Sequence, residues 1–157
     1  IHDRTLRFIN RGHDYKKFLE AYEKTKSRGI KVCAHVILGL PDETHEMMME
    51  TAKALADLGV DGVKIHDLCV MKNTALEKMY EKGGIKLLEE DEYVELVCDF
   101  LEFLPPETTI HRLAGNGLQK LKVAPLWLNK KFEVLNKIDR CFEMRGTGQG
   151  SALRDGR

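Results

Sequence analysis

Apolar residues recur with two alternating periods along the first half of the chain. Over residues 14–28 (DYKKFLEAYEKTKSR), Tyr15, Phe18, Leu19 and Tyr22 fall at helical spacing, and Gly29 stands where such a helix would stop. Residues 30–38 form a short apolar run rich in branched side chains, which predicts a buried parallel strand. Residues 44–58 return to the helical period, with Met47, Met48, Ala52, Leu55 and Leu58 on or near one face and Gly59 after them. Residues 61–70 (DGVKIHDLCV) repeat the strand pattern. Helix, strand, helix and strand at this spacing predict a parallel sheet with covering helices.

After Thr74 the alternation weakens. A short helix is expected over residues 75–81 and a longer one over 91–104 (DEYVELVCDFLEFL), ended by Pro105 and Pro106. Residues 108–113 read as one more strand, 126–144 contain an amphipathic helix, and the glycine-rich residues 147–157 are expected to be a flexible tail.

The punctuation between elements carries the candidate chemistry. Gly39-Leu40-Pro41 ends the first strand where neither a helix nor a central strand can continue without cost. In parallel α/β architectures ligands sit beyond the carboxyl ends of strands, so this bend offers backbone groups to a planar ligand such as a nucleobase. An ordinary strand-to-helix turn, with Asp42 or Glu43 favouring the helix N-terminus, accounts for the same residues. Lys72-Asn73-Thr74 follows the second strand in the equivalent place, and there Thr74 is also a helix cap. In Asn10-Arg11-Gly12-His13, Gly12 suits a turn after a short leading helix. Arg11 is left as a fork for a carboxylate or phosphate.

Composition narrows the class. A chain of 157 residues, 43% hydrophobic, can bury one core. No apolar segment approaches the roughly 20 residues of a membrane helix, and the first residues lack the apolar middle of a signal peptide. The expectation is a cytoplasmic protein with no membrane partner. Cys33, Cys69, Cys98 and Cys141 are far apart, without a CxxC pair, so reduced thiols are expected. Cys33 and His35 on one strand with His66 and Cys69 at the end of the next offer four ligands on paper, but buried core residues show the same spacings, and no metal is assigned. Trp127 reads as a packing anchor sooner than as a platform for stacking a base. Residues 1–111 hold 15 Lys and Arg against 21 Asp and Glu, whereas residues 112–157 hold 10 against 4. That asymmetry suits either a polyanionic partner such as a nucleic acid or a solvated helix face.

Five stretches in order carry a family resemblance: INRGHD at 9–14, GIKVCAHVILGLPDET at 29–44, GVDGVKIHDLCVMKNTAL at 59–76, EEDEYVELVCDFLEFLPPE at 89–107 and IHRLAGNG at 110–117. Together they resemble an uncharacterised family of bacterial radical SAM proteins, related to the elongator-type enzymes and more distantly to the oxygen-independent coproporphyrinogen oxidases. Members of that superfamily use a four-iron, four-sulfur (4Fe-4S) cluster on a CxxxCxxC-type loop to cleave S-adenosylmethionine reductively into methionine and a deoxyadenosyl radical. A partial (β/α)6 barrel surrounds the cofactor.

The resemblance implies an α/β fold: the C-terminal half of a partial (β/α)6 radical SAM barrel over residues 1–104, then a C-terminal α/β extension over 105–146. It implies that Arg11 holds the methionine carboxylate, that His35 reaches a ribose hydroxyl, that Ile37 packs on adenine, and that Gly39 and Leu40 present backbone to it. The segment with Met71 and Thr74 would complete the adenine site, with Asn73 in place of an expected glycine. His66 and Arg112 are substrate candidates, together with the 112–117 loop. The cysteine loop is missing from this sequence, so the chain is expected to be a fragment, inactive alone and with no tightly bound cofactor. The intact parent would be the enzyme, acting on an unknown substrate. A nucleic-acid contact module delivering tRNA through the basic C-terminal third, or a non-catalytic scaffold, are the other expectations. An open sheet edge would also invite self-association.

Overall fold

A computed structural model describes residues 1–115 and 119–154 of the chain. Several of its helices begin or end where local chemistry satisfies their free backbone groups. Asp14 accepts the Lys17 N–H at 2.8 Å and starts a helix over Tyr15–Lys26. Thr44 caps another over His45–Leu58, which Gly59 ends in the left-handed conformation at φ 64°. With the short leading helix α1 (Asp3–Phe8), these are α2 and α3. Further along are α4 (Ala75–Glu81), α5 (Glu90–Glu102), α6 (Lys131–Arg145) and α7 (Ser151–Arg154).

Strands β1 (Cys33–Leu38) and β2 (Gly62–Asp67) pair in parallel on either side of α3, and β2 pairs in parallel with a later strand over Thr109–Arg112. Between β2 and that strand comes β3 (Val70–Met71), so the later strand is β4; β5 (Lys122–Ala124) pairs antiparallel with β3. The main sheet therefore runs β1-β2-β4, with β1 and β4 at its edges. It includes β4 although that strand lies inside the segment assigned to the extension. The chain has a mixed α/β fold whose parallel sheet and covering helices form part of a barrel wall.

The core lies under one face only. Ala34 and Leu38 of β1 and Val63 and Ile65 of β2 pack with Met48, Ala52 and Leu55 of α3 and with Val97, Phe100 and Leu101 of α5. Burying each large apolar side chain contributes about 1.5–3 kcal/mol, so this face fixes the strand register. The other face carries Cys33, His35 and Ile37, with Ile37 39% exposed. The expectation of a buried β1 is thus corrected on one side, because helices cover the sheet on one face and leave its inner face open. β2 also ends earlier than the run of apolar residues suggested. Leu68 N–H still reaches Leu38 C=O at 3.2 Å, but Val70 and Met71 turn away to pair with β5.

Outside the sheet, α5 and α6 are tied by charge. Arg145 of α6 reaches Asp99 at 2.7 Å and Glu102 at 3.1 Å and also bonds Glu95, while Lys137 meets Asp91 at 2.7 Å. Part of the basic end of the sequence is therefore answered by the acids of α5 within the fold. Trp127 donates to the Leu88 carbonyl at 3.0 Å with its ring 5.1 Å from that of Tyr93, a packing role. In the segment expected to be a tail, Gln149 donates to the Pro105 and Thr108 carbonyls at 2.6 and 2.8 Å, fastening α7 near the end of α5. Residues 155–157 of that tail lie outside the described residues.

Candidate functional site

The carboxyl ends of β1 and β2 open into a cavity of about 490 Å³. Local chemistry positions each wall. Asp3 of α1 accepts the Tyr15 N–H at 2.8 Å, and His2 hydrogen-bonds the Met47 carbonyl at 2.8 Å, so α1 is held against both α2 and α3. The turn after α1 passes through Asn10 at φ 53° and Gly12 at φ 83°, and between them Arg11 reaches the cavity wall. Gly39, at φ 80°, bends β1 into its loop and aims its N–H at Met48 Sδ, 3.2 Å away. Leu40 C=O accepts the Glu43 N–H at 3.1 Å, and Thr44 then starts α3. The bend is therefore both a strand-to-helix turn and one rim of a cavity.

Arg11, His35, Ile37, Leu40 and His66 line this cavity together. Gly39, Met71, Thr74 and Arg112 do not. The Cα of Gly39 instead faces Leu88, and Thr74 Oγ1 donates to the Met71 carbonyl at 2.7 Å while accepting the Glu77 N–H at 3.1 Å. Asn73 adopts φ 64°, the conformation expected of the glycine it replaces, and its N–H reaches Glu77 at 2.6 Å. Arg112 lies on the inner sheet face beside Lys64. In the 112–117 loop, residues 116 and 117 are outside the described residues.

Cavity residues that sequence reasoning passed over include Thr51 and Asp67, while Glu43, read as favouring the helix start, and Cys69, weighed as a metal ligand, also line it. Asp67 accepts the Gly115 N–H at 2.7 Å, which fastens the loop after β4 to the end of β2. Thr51 lies one helical turn beyond Met48, so the spacing was available, but only the turn of α3 against β1 shows that this edge meets the cavity. The rings of His35 and His66 lie 5.3 Å apart. Burial lowers the pKa of His66, and the neighbouring His35, Arg112 and Lys64 lower it further, so the neutral imidazole is favoured. A neutral ring both donates and accepts a hydrogen bond.

The cysteines do not form a cluster cradle. Cys33 is exposed on β1, Cys69 follows β2, and Cys98 and Cys141 are buried at the α5–α6 contact. Among the described residues no group of three or more His, Cys, Asp or Glu is placed to hold a metal. Burial raises the pKa of all four thiols, which opposes the thiolate form that metals require. Among these residues no helix is long and apolar enough to cross a membrane.

Comparison with known proteins gives this geometry a context. The radical SAM superfamily pattern matches residues 1–55, and the radical SAM C-terminal domain pattern matches residues 60–144. The uncharacterized protein YtqA of Bacillus subtilis is 49% identical over 150 residues, 96% of this chain and 47% of YtqA. Protein YhcC of Escherichia coli is 34% identical over 152 residues, 97% of this chain and 49% of YhcC. Elongator complex protein 3 of Saccharomyces cerevisiae is 30% identical over 116 residues, covering 72% of this chain and 21% of that protein. The chain spans about half the length of YtqA and YhcC. The solved Elp3 of the archaeon Methanocaldococcus infernus, with an N-terminal deletion, superposes with a TM-score of 0.82 over 100% of this chain and 39% of that one. At 21% identity that likeness speaks for the fold.

Proposed function

We propose, because this chain belongs to the radical SAM superfamily, that it forms the S-adenosylmethionine- and substrate-facing half of a radical SAM enzyme. The observation that carries the reading is the meeting of Arg11, His35, Ile37 and Leu40 around one cavity of a size suited to a small-molecule cofactor. Arg11 pairs with the cofactor's carboxylate through its planar fork, and His35 holds a ribose hydroxyl. Ile37 and Leu40 cover adenine with apolar surface, and exclusion of water there strengthens both polar contacts. When bound, S-adenosylmethionine supplies hydrogen-abstracting chemistry through reductive cleavage at its sulfonium. The described residues do not fit an iron–sulfur cluster; on this reading the cluster belongs to a part of the intact protein outside them, and no cofactor turnover is expected of this chain alone.

The nucleic-acid reading rested on the basic C-terminal third, and the ion pairs from α6 to α5 answer part of that charge internally. The test uses the intact protein, reconstituted anaerobically with iron and sulfide and then reduced. Cluster-dependent release of 5′-deoxyadenosine, lost in Arg11→Ala, supports the enzyme. No release from a protein with a demonstrated cluster refutes it.

A further inference from the structure

The inner face of the main sheet holds an electrostatic arrangement that the cofactor pocket does not use. Lys64 of β2 and Arg112 of β4 are register partners across a parallel ladder, so two cationic side chains spring from neighbouring backbone positions. Like charges at directly paired strand positions repel. The register shift that lets β4 pass His111 brings Arg112 opposite Lys64 and lays the His111 ring over Gly62, where a Cβ would lie 2.7 Å from His111 Nε2. His66, two residues along β2, joins the same face, with His35 5.3 Å away between ring centres.

Several cations elsewhere on the molecule are answered by acids. Lys26 meets Asp61 at 2.9 Å, Lys137 meets Asp91 at 2.7 Å, and Arg145 meets Asp99 at 2.7 Å. Among the described residues neither Lys64 nor Arg112 takes part in an ion pair, although both are half-buried. The acids near this face are Asp67, already bonded to the Gly115 N–H, and Glu43 on the far rim of the cavity. A half-buried pair of cations beside the His66 ring is a binding surface for one negative group, because the anion removes their repulsion and fills their donors.

We propose that Lys64, His66 and Arg112 form a subsite for an oxyanion carried by the substrate, a carboxylate or a phosphate. The placement rests on the reading above that this face looks onto the cofactor. Lys64 and Arg112 supply charge, and His66 supplies a ring N–H or, once protonated, a third positive donor. The anion fixes one end of the substrate on β2 and β4 and leaves the rest of the molecule toward the cavity lined by His66 and Ile37.

The experiment needs neither cofactor nor cluster, so its failure is distinct from failure of the radical SAM reading. Histidine rings of the chain are followed by NMR against pH during titration with inorganic phosphate and, separately, with acetate; His66→Gln assigns the signal. A bound anion raises the midpoint of His66 and saturates. Lys64→Gln or Arg112→Gln weakens binding about tenfold, the loss of one charge-assisted hydrogen bond, whereas Lys64→Arg retains it. Lys16→Gln on exposed α2 is the control and leaves it unchanged. The His45 signal, reporting its 2.7 Å contact with Asp99, shows that each variant is folded. A response to phosphate alone assigns a phosphate and a response to acetate alone a carboxylate. No saturable shift of His66 with either, or equal weakening by Lys16→Gln, overturns the subsite.

Discussion

Replacing Gly39 by alanine tests the bend that shapes the cavity, and its cost divides into two parts. Gly39 sits at φ 80°, where an L side chain meets its own backbone and loses about 1–2 kcal/mol. An added Cβ would also stand 2.8 Å from Leu88 Cδ1 and 3.1 Å from Cγ. Overpacking costs about 1–3 kcal/mol, and the low end applies because the obstacle is the end of a half-buried, flexible side chain. Gly39→Ala should therefore destabilise the chain by about 2–3 kcal/mol in urea unfolding, with an unchanged denaturant slope. In a Leu88→Ala background the clash is gone and only the backbone part remains, so the same substitution should cost about 1 kcal/mol less. Equal costs in both backgrounds would show that Leu88 is not the obstacle. A cost below about 0.5 kcal/mol would refute the left-handed bend itself.

Tyr93→Phe removes the donor to the Leu113 carbonyl, now 2.6 Å away, and should cost about 1–2 kcal/mol in the same assay. Arg145→Ala leaves Asp99 and Glu102 facing each other without their cation; because those carboxylates are 29% and 14% exposed, the loss should be about 1–3 kcal/mol and shrink in high salt. His66 has a pKa lowered by burial and by its cationic neighbours, so the unfolded chain binds the proton more readily than the fold does. Its contribution is intact above the unfolded value of about 6.5 and is lost as pH falls from there through the lower folded value; His66→Gln should flatten that part of a stability–pH curve.

Local chemistry made much of this fold legible. Thr44 and Gly59 bracket α3 where a cap and a left-handed stop belong, and Asp14 starts α2. The end of β2 was not legible, because Leu68 and Cys69 are as apolar as a strand requires. The turn toward β5 depends on residues more than 50 positions away. Nor could periodicity show that Ile37 faces an open side, since whether a branched residue is covered depends on where helices lie. At the site, Arg11 stood out because the turn accounted for Gly12 and left the arginine over, whereas Leu40 entered through the family resemblance. Asp67 did not stand out, because its role is a contact with Gly115 that only the folded sheet creates.

The central claim is that the cavity beneath Arg11 holds S-adenosylmethionine, and equilibrium binding of the labelled cofactor to the intact, cluster-loaded protein tests it most directly. Arg11→Ala should weaken binding about tenfold or more, the loss of a charge-assisted pair, with the cluster's absorbance unchanged. Undiminished affinity in that variant would place the cofactor elsewhere and contradict the account.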